Sequence, residues 1–268
     1  MESPSRALRK LDDSLEALGL KQGEISDLLG KLPGDTISLM IYGSRARGDY
    51  LPSSDFDVLR LSRKPAPTIR VGRVSVSSYT LDQLHSASGT LFGTHLIRDG
   101  RIIFDPDEQL VEVLLRLEPA RPDQLLETVH HYSVILNQPP SERLCNLPGL
   151  VRLARYLLRT AVYAQAMRIG PPCFSVRELA SKFGDPDLAT LLASDPIVTG
   201  PPTIDILEDL VKRLTTIVGP LPPNTYGSIS ALAVATWDED RILATLAIRA
   251  ASDDENTLDY SDLPKILL

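Results

Sequence analysis

Two aspartates stand one residue apart in Ser54-Asp55-Phe56-Asp57-Val58-Leu59, a run whose apolar and polar positions alternate as on a strand. Side chains on a strand repeat every two residues, so both carboxylates project from one face, about 7 Å apart along the backbone. Like charges so placed repel unless a cation lies between them, and hard oxygen ligands of this kind suit Mg²⁺ bridging the phosphates of a nucleotide. Upstream the chain reads Gly43-Ser44-Arg45-Ala46-Arg47-Gly48. Gly43 lets the backbone come close to a ligand, Ser44 offers a hydroxyl and an amide, and the turn that follows points N–H groups outward as an anion receptor. Arg45 and Arg47 are close by, so one of them could add charge-assisted hydrogen bonds to a phosphate while the other faces solvent. A lone Gly-Ser is common and an Asp-x-Asp pair on a strand is usually a solvated face; the ordered combination carries the reading.

These residues need a scaffold, and the flanking sequence supplies its elements. Thr36-Ile37-Ser38-Leu39-Met40-Ile41-Tyr42 is a β-prone run that stops at Gly43-Ser44, and a short helix can start at Ala46. Residues 55–61 and 73–79 read as a second and a third strand. Before them, Leu8, Leu11, Leu15 and Leu18 give residues 5–31 helical periodicity up to the break at Pro33-Gly34. Thr80 reads as the cap of a helix, and residues 95–104 as a hairpin turning at Asp99-Gly100. Helical spacing then dominates over 108–118, 122–137, 148–168, 175–182, 204–217 and 226–248. The proline pairs Pro139-Pro140, Pro171-Pro172, Pro201-Pro202 and Pro222-Pro223 fall between these stretches.

Composition narrows the class. The 268 residues are 43% hydrophobic and 24% charged, enough for one large or two modest globular domains. With 28 Lys plus Arg against 35 Asp plus Glu the net charge is -7, which disfavours a protein that coats nucleic acid. The polar N-terminus lacks the apolar core of a signal peptide and no long uncharged apolar run suggests a membrane span, so the expected location is the cytoplasm. Two cysteines, Cys145 and Cys173, give neither a disulfide framework nor a zinc quartet and read as buried structural thiols.

The Gly43-Ser44 pair after a strand, followed by Asp55-x-Asp57 on the next, resembles the signature of the DNA polymerase β-like nucleotidyltransferase superfamily. The run from Gly43 to Asp49 with Ser54-Asp55-Phe56-Asp57 is most similar to the minimal nucleotidyltransferases and to kanamycin-type aminoglycoside nucleotidyltransferases. The resemblance implies an α/β fold with a small mixed sheet over residues 34–118, preceded by a helical lead-in at 1–33. An all-helical bundle over 119–250 and an acidic tail at 251–268 would follow, with the active site in the cleft between the two domains. It further implies that Gly43 and Ser44 hold the phosphates of an NTP while Asp55 and Asp57 bind two Mg²⁺ ions, for which Mn²⁺ could stand in. The reaction implied is transfer of a nucleoside monophosphate to a hydroxyl, with pyrophosphate leaving.

Members that catalyse this reaction commonly carry a third carboxylate on the next strand, where Val74-Ser75-Val76-Ser77 offers only Ser75 or Ser77. A hydroxyl binds Mg²⁺ weakly and is a poor base near neutral pH. A water, Glu142, Asp82 or Asp105 could compensate; otherwise the chain would bind a nucleotide or a partner protein without transfer, as in a toxin–antitoxin or defence system. The acceptor could be an aminoglycoside-like small molecule, a tRNA end or a protein hydroxyl, with the acidic balance favouring a cation, and a homodimer or a partner protein stays open.

Other residues have plainer readings beside sharper ones. Arg152, Arg155 and Arg159 line one face of the helix at 148–168, either as interdomain contacts to phosphates or, more simply, as a solvated or salt-bridged face. Tyr156 and Tyr163 read as core, His130-His131 as solvent-facing, Trp237 as buried, and His95, Asp49 and Asp105 as ordinary polar or turn residues.

Overall fold

A computed structural model of the chain describes residues 4–50, 54–193 and 200–252, with side chains from Leu11 onward. The tail expected at 251–268 lies, from residue 253, outside the described residues. The chain divides into two compact units between Ala120 and Arg121.

The first unit is built on a five-stranded mixed sheet. Its strands are β1 (Thr36–Tyr42), β2 (Phe56–Ser62), β3 (Ile69–Val71), β4 (Val74–Tyr79) and β5 (Arg101–Phe104), in the spatial order β3-β4-β2-β1-β5. β1 runs antiparallel to β2 and β5, β2 is parallel to β4, and β3 is antiparallel to β4. Strand alternation sends Leu39, Ile41, Phe56, Val58, Val74 and Val76 to one face, where Leu11 and Leu15 of α1 (Pro4–Ala17) and Ile25 and Leu28 of α2 (Gln22–Lys31) cover them. Met40, Tyr42, Leu59, Leu61 and Tyr79 share the other face. They pack with Leu84 of α4 (Leu81–His85), Phe92 and Leu96 of α5 (Leu91–Asp99), and Leu110 and Val113 of α6 (Gln109–Arg116). A one-turn helix, α3 (Ser44–Arg47), follows β1 directly.

The lead-in consists of two helices, because Gly19 takes φ +91° and turns the chain after α1, so that Leu20 tucks into the core at 3% exposure. One expectation for this unit is corrected. Residues 95–104 are not a hairpin: Thr90 caps a helix by accepting from the Gly93 N–H, and that helix runs to Asp99 before β5 starts. Gly100 is there for proximity. A Cβ on it would meet the Leu96 carbonyl at 2.4 Å and the Met40 sulfur at 2.6 Å.

The second unit is helical. A 23-residue helix, α9 (Leu147–Ile169), packs against α7 (Pro122–Tyr132), α10 (Val176–Lys182), α12 (Ile204–Val218) and α14 (Arg241–Ala250). Shorter pieces complete it: a 3₁₀ turn at Ser133–Leu136, α8 (Pro140–Cys145), α11 (Asp187–Leu191) and α13 (Ile229–Thr236). The stretch of helical spacing at 226–248 holds two helices, since Asp240 accepts from the Leu243 N–H and starts α14 afresh. Gly149 lets α9 approach α14, where a Cβ would stand 2.0 Å from the Ala250 carbonyl oxygen.

Several side chains depart from their plain readings. Arg155 donates to the Leu191 carbonyl and Arg152 to that of Ser252, while buried Arg159 bonds the Leu192 carbonyl, so the stripe is no solvated face. These arginines satisfy carbonyls at and just beyond the end of α11 and α14, which helix geometry leaves without intrahelical donors. Burial, then the neighbouring Arg159, lowers the Arg155 pKa. Trp237 is 37% exposed, with the Arg241 guanidinium stacked 3.7 Å from its ring centre. Cys145 is exposed, while Cys173 and Tyr163 are buried. His131 bonds Asp240 at 2.7 Å and His130 the Pro220 carbonyl at 3.0 Å, so the pair points to separate partners.

Candidate active site

The Gly-Ser turn and the acidic run meet at one end of the sheet. β1 ends at Tyr42, which is paired with Asp57 on β2, and Asp57 is paired on its other side with Ser75 of β4. Arg70 of β3 in turn pairs with Ser75, so the row across four strands reads Tyr42, Asp57, Ser75, Arg70. Register therefore selects Ser75 over Ser77 as the neighbour of Asp57; Ser77 pairs with Leu59 one step deeper and is 5% exposed. Asp57 is half-buried, and Asp55, one residue before β2, is exposed.

Gly43 is where the turn comes closest. It holds φ +79°, in the region that favours glycine, and a Cβ placed on it would stand 2.7 Å from Asp57 Oδ2. Removing that one carbon lets the backbone that opens α3 lie beside the carboxylate. α3 closes on Gly48 at φ +86°, whose N–H donates to the Ser44 carbonyl at 2.9 Å.

Both arginines of the turn are engaged, and neither faces solvent as one was expected to. Arg45 is 6% exposed: its Nε and Nη2 donate to the Ser54 carbonyl at 3.2 and 2.9 Å, and its guanidinium lies 4.0 Å from the Tyr50 ring centre and 4.4 Å from that of Phe56. Arg47 donates to Asp49 at 3.2 Å and to Asp99 at 3.0 Å.

Asp99 was not foreseen, and His95 is not the ordinary surface residue expected. The Asp99 side chain is 4% exposed and accepts from Arg47 and from His95, whose Nε2 is 3.1 Å away. Burial raises the Asp99 carboxyl, but the hydrogen bonds and charges of His95 and Arg47 outweigh it and hold it below its ordinary value. The His95 ring packs edge-on against Tyr42 at 5.7 Å, next to Asp57 in the sheet row. His95 and Asp99 are an i, i+4 pair, a signal readable only once this stretch is taken as a helix.

Residues 23–126 match the model of the nucleotidyltransferase domain. Over that stretch the chain is similar to nucleotidyltransferase domains. The match takes in all of α2 but its first residue, the whole sheet and α6, and with them the Gly43-Ser44 turn, Asp55, Asp57 and Ser75. No curated protein matches the chain. Among solved structures, a nucleotidyltransferase-like protein from Exiguobacterium sibiricum 255-15 shares 15% identity, over 81% of this chain and 78% of that one, at a TM-score of 0.31, a likeness too slight to bear weight.

Of the carboxylates named as substitutes for a third ligand, Asp105 and Asp82 do not stand beside Asp57. Asp105 accepts from Ser38 and caps α6 through the Leu110 and Val111 N–H groups, four residues down β1 from Tyr42. Asp82 lines an open cavity of about 830 Å³ with Asp35, Thr36, Ser62 and Thr80, off the opposite end of the sheet. Glu142, in the helical unit, accepts from the Ile229 N–H at 3.4 Å. Among the described residues no three His, Cys, Asp or Glu side chains gather into a metal-holding group. None of the described helices is long and apolar enough to cross a membrane.

Proposed function

We propose that the chain binds an NTP with Mg²⁺ and transfers its nucleoside monophosphate to an acceptor hydroxyl, releasing pyrophosphate. The approach of Gly43 to Asp57 supports this best, because it sets an anion-receiving turn against a cation-receiving carboxylate. The donor set fits a Mg²⁺ ion shared with phosphate oxygens: Asp55 and Asp57 would hold it with hard oxygen ligands, and the absent Cβ of Gly43 leaves the space beside Oδ2 open. Bound there, the ion would neutralise the triphosphate and the charge that develops on departing pyrophosphate. The Ser44 hydroxyl and the N–H groups of the turn would orient the phosphates. Ser75 can exchange a hydrogen bond with the acceptor hydroxyl but is too poor a base near neutral pH to take up the proton which that hydroxyl loses. With a net charge of -7, a cationic acceptor such as an aminoglycoside-like alcohol fits better than an RNA end.

A second reading has its own observation. Because a serine is the in-register neighbour of Asp57, the chain could bind a nucleotide or a partner protein without transferring anything. Calorimetry with each of the four NTPs and Mg²⁺, repeated on the double variant Asp55→Ala, Asp57→Ala with pyrophosphate release read alongside, separates the two. Mg²⁺-dependent binding lost in the variant, together with release, supports transfer. Nucleotide binding without release from any acceptor supports the second reading, and no binding to any NTP defeats transfer and leaves only a partner-binding scaffold.

A further inference from the structure

Arg45 follows the serine of the turn directly, yet it is buried, and its guanidinium is engaged within the unit. It holds the chain at two points that frame the acidic pair. One is the Ser54 carbonyl, immediately before Asp55, which takes two of its N–H donors; the other is the ring of Phe56, between Asp55 and Asp57, on which it stacks. Tyr50 closes over it at 4.0 Å. Phe56 is fixed from a further direction by Arg73, whose guanidinium lies 5.3 Å from the ring centre and pairs with Glu24 of α2. The Arg45 backbone belongs to α3. One side chain thus spans from the phosphate turn to the start of the acidic strand.

We propose that Arg45 is a positioning residue: it fixes the Asp55-Phe56-Asp57 segment against the Gly43-Ser44 turn, and it acts on a bound nucleotide through the two carboxylates rather than by touching phosphate. The Ser54 carbonyl lies before β2, outside the strand's own ladder, and takes its partner from this guanidinium. Only a flat, delocalised cation can give two N–H donors to one carbonyl while its faces rest on aromatic rings; a lysine keeps the charge and loses both features. The nucleotide part of this inference rests on the function proposed above, whereas the strut itself does not.

The test uses the full chain with Arg45→Met and Arg45→Lys. Hydrogen exchange on the nucleotide-free protein reads residues 45–50 and 54–57, and calorimetry with Mg²⁺ and each NTP reads binding. The strut predicts exchange about tenfold faster in those segments in both variants, with α4 to α6 unchanged. It also predicts that lysine weakens binding as much as methionine does, and that neither change adds to the loss in the Asp55→Ala, Asp57→Ala background. Wild-type exchange in Arg45→Met, or near wild-type affinity in Arg45→Lys, would overturn it. If Arg45→Met does not fold, Tyr50→Leu removes one ring of the stack and must open the same segments, less strongly. A wild-type chain that binds no NTP defeats the proposed function and leaves the exchange result to decide the strut.

Discussion

Asp57 and Ser75 are direct partners across the parallel strands β2 and β4, at the end of the sheet where β1 gives way to the Gly43-Ser44 turn. Paired residues on adjacent strands share a face, so a carboxylate and a hydroxyl stand side by side there.

Replacing Ser75 by aspartate sets two carboxylates in register. Like charges directly opposite cost roughly 0.2–1 kcal/mol, so the thermal midpoint falls without divalent cation. Mg²⁺ restores it, and pyrophosphate release rises above wild type by about tenfold or more if a base and ligand were what the site lacked. Ser77→Asp is the control: buried beside Leu59, it costs several kcal/mol by burying an unpaired charge, on the order of 3, and gains nothing from Mg²⁺. Differential scanning fluorimetry with and without Mg²⁺ reads both.

Gly43→Ala combines two penalties. A non-glycine residue at φ +79° costs on the order of 1–2 kcal/mol, and the new methyl group displaces the Asp57 carboxylate. Urea unfolding gives the first, and calorimetry the second as Mg²⁺-dependent NTP affinity reduced by about tenfold or more.

Asp99→Asn leaves Arg47 and His95 without their shared carboxylate. Truncating one partner of a largely buried ion pair costs about 3 kcal/mol, and α3 loosens with it. The wild-type pH dependence has a definite sign. The folded-state pKa of Asp99 is depressed, so its contribution is full above the unfolded value of 3.8 and is lost as pH falls through the folded value. Asp240 and Glu24 are depressed too, and act in the same direction. Thermal midpoints between pH 6 and pH 3 therefore decline in the wild type, and the decline is shallower in Asp99→Asn.

Gly149→Ala tests the helical unit. The added carbon meets backbone of Ala250, which cannot step aside as a flexible side chain would, so the change destabilises by about 1–3 kcal/mol, measured by urea unfolding.

The strands that carry the site were legible because each shows both pattern and punctuation. Residues 36–42 end at a glycine that has to be one, and Phe56 and Val58 are core on either side of half-buried Asp57 at the start of β2. What escaped was set by tertiary contact. The Asp99-Gly100 dipeptide has the look of a hairpin turn, but the glycine serves close packing on Met40, and the aspartate is the anion that Arg47 and His95 share. The destination of Arg45 was equally hidden, since its partners are a carbonyl and two rings that sequence does not bring together. β3 is three residues long, too short for alternation to declare it, and with it went Arg70.

The sheet's two borders are three-residue β3 and four-residue β5. Pro65 and Pro67, just before β3, have no N–H to offer, and so leave little ladder for another chain to extend. Short borders of this kind resist edge-to-edge strand addition, the usual route from a native sheet to aggregates. A concentrated solution of the chain should stay free of cross-β growth seeded from the folded state.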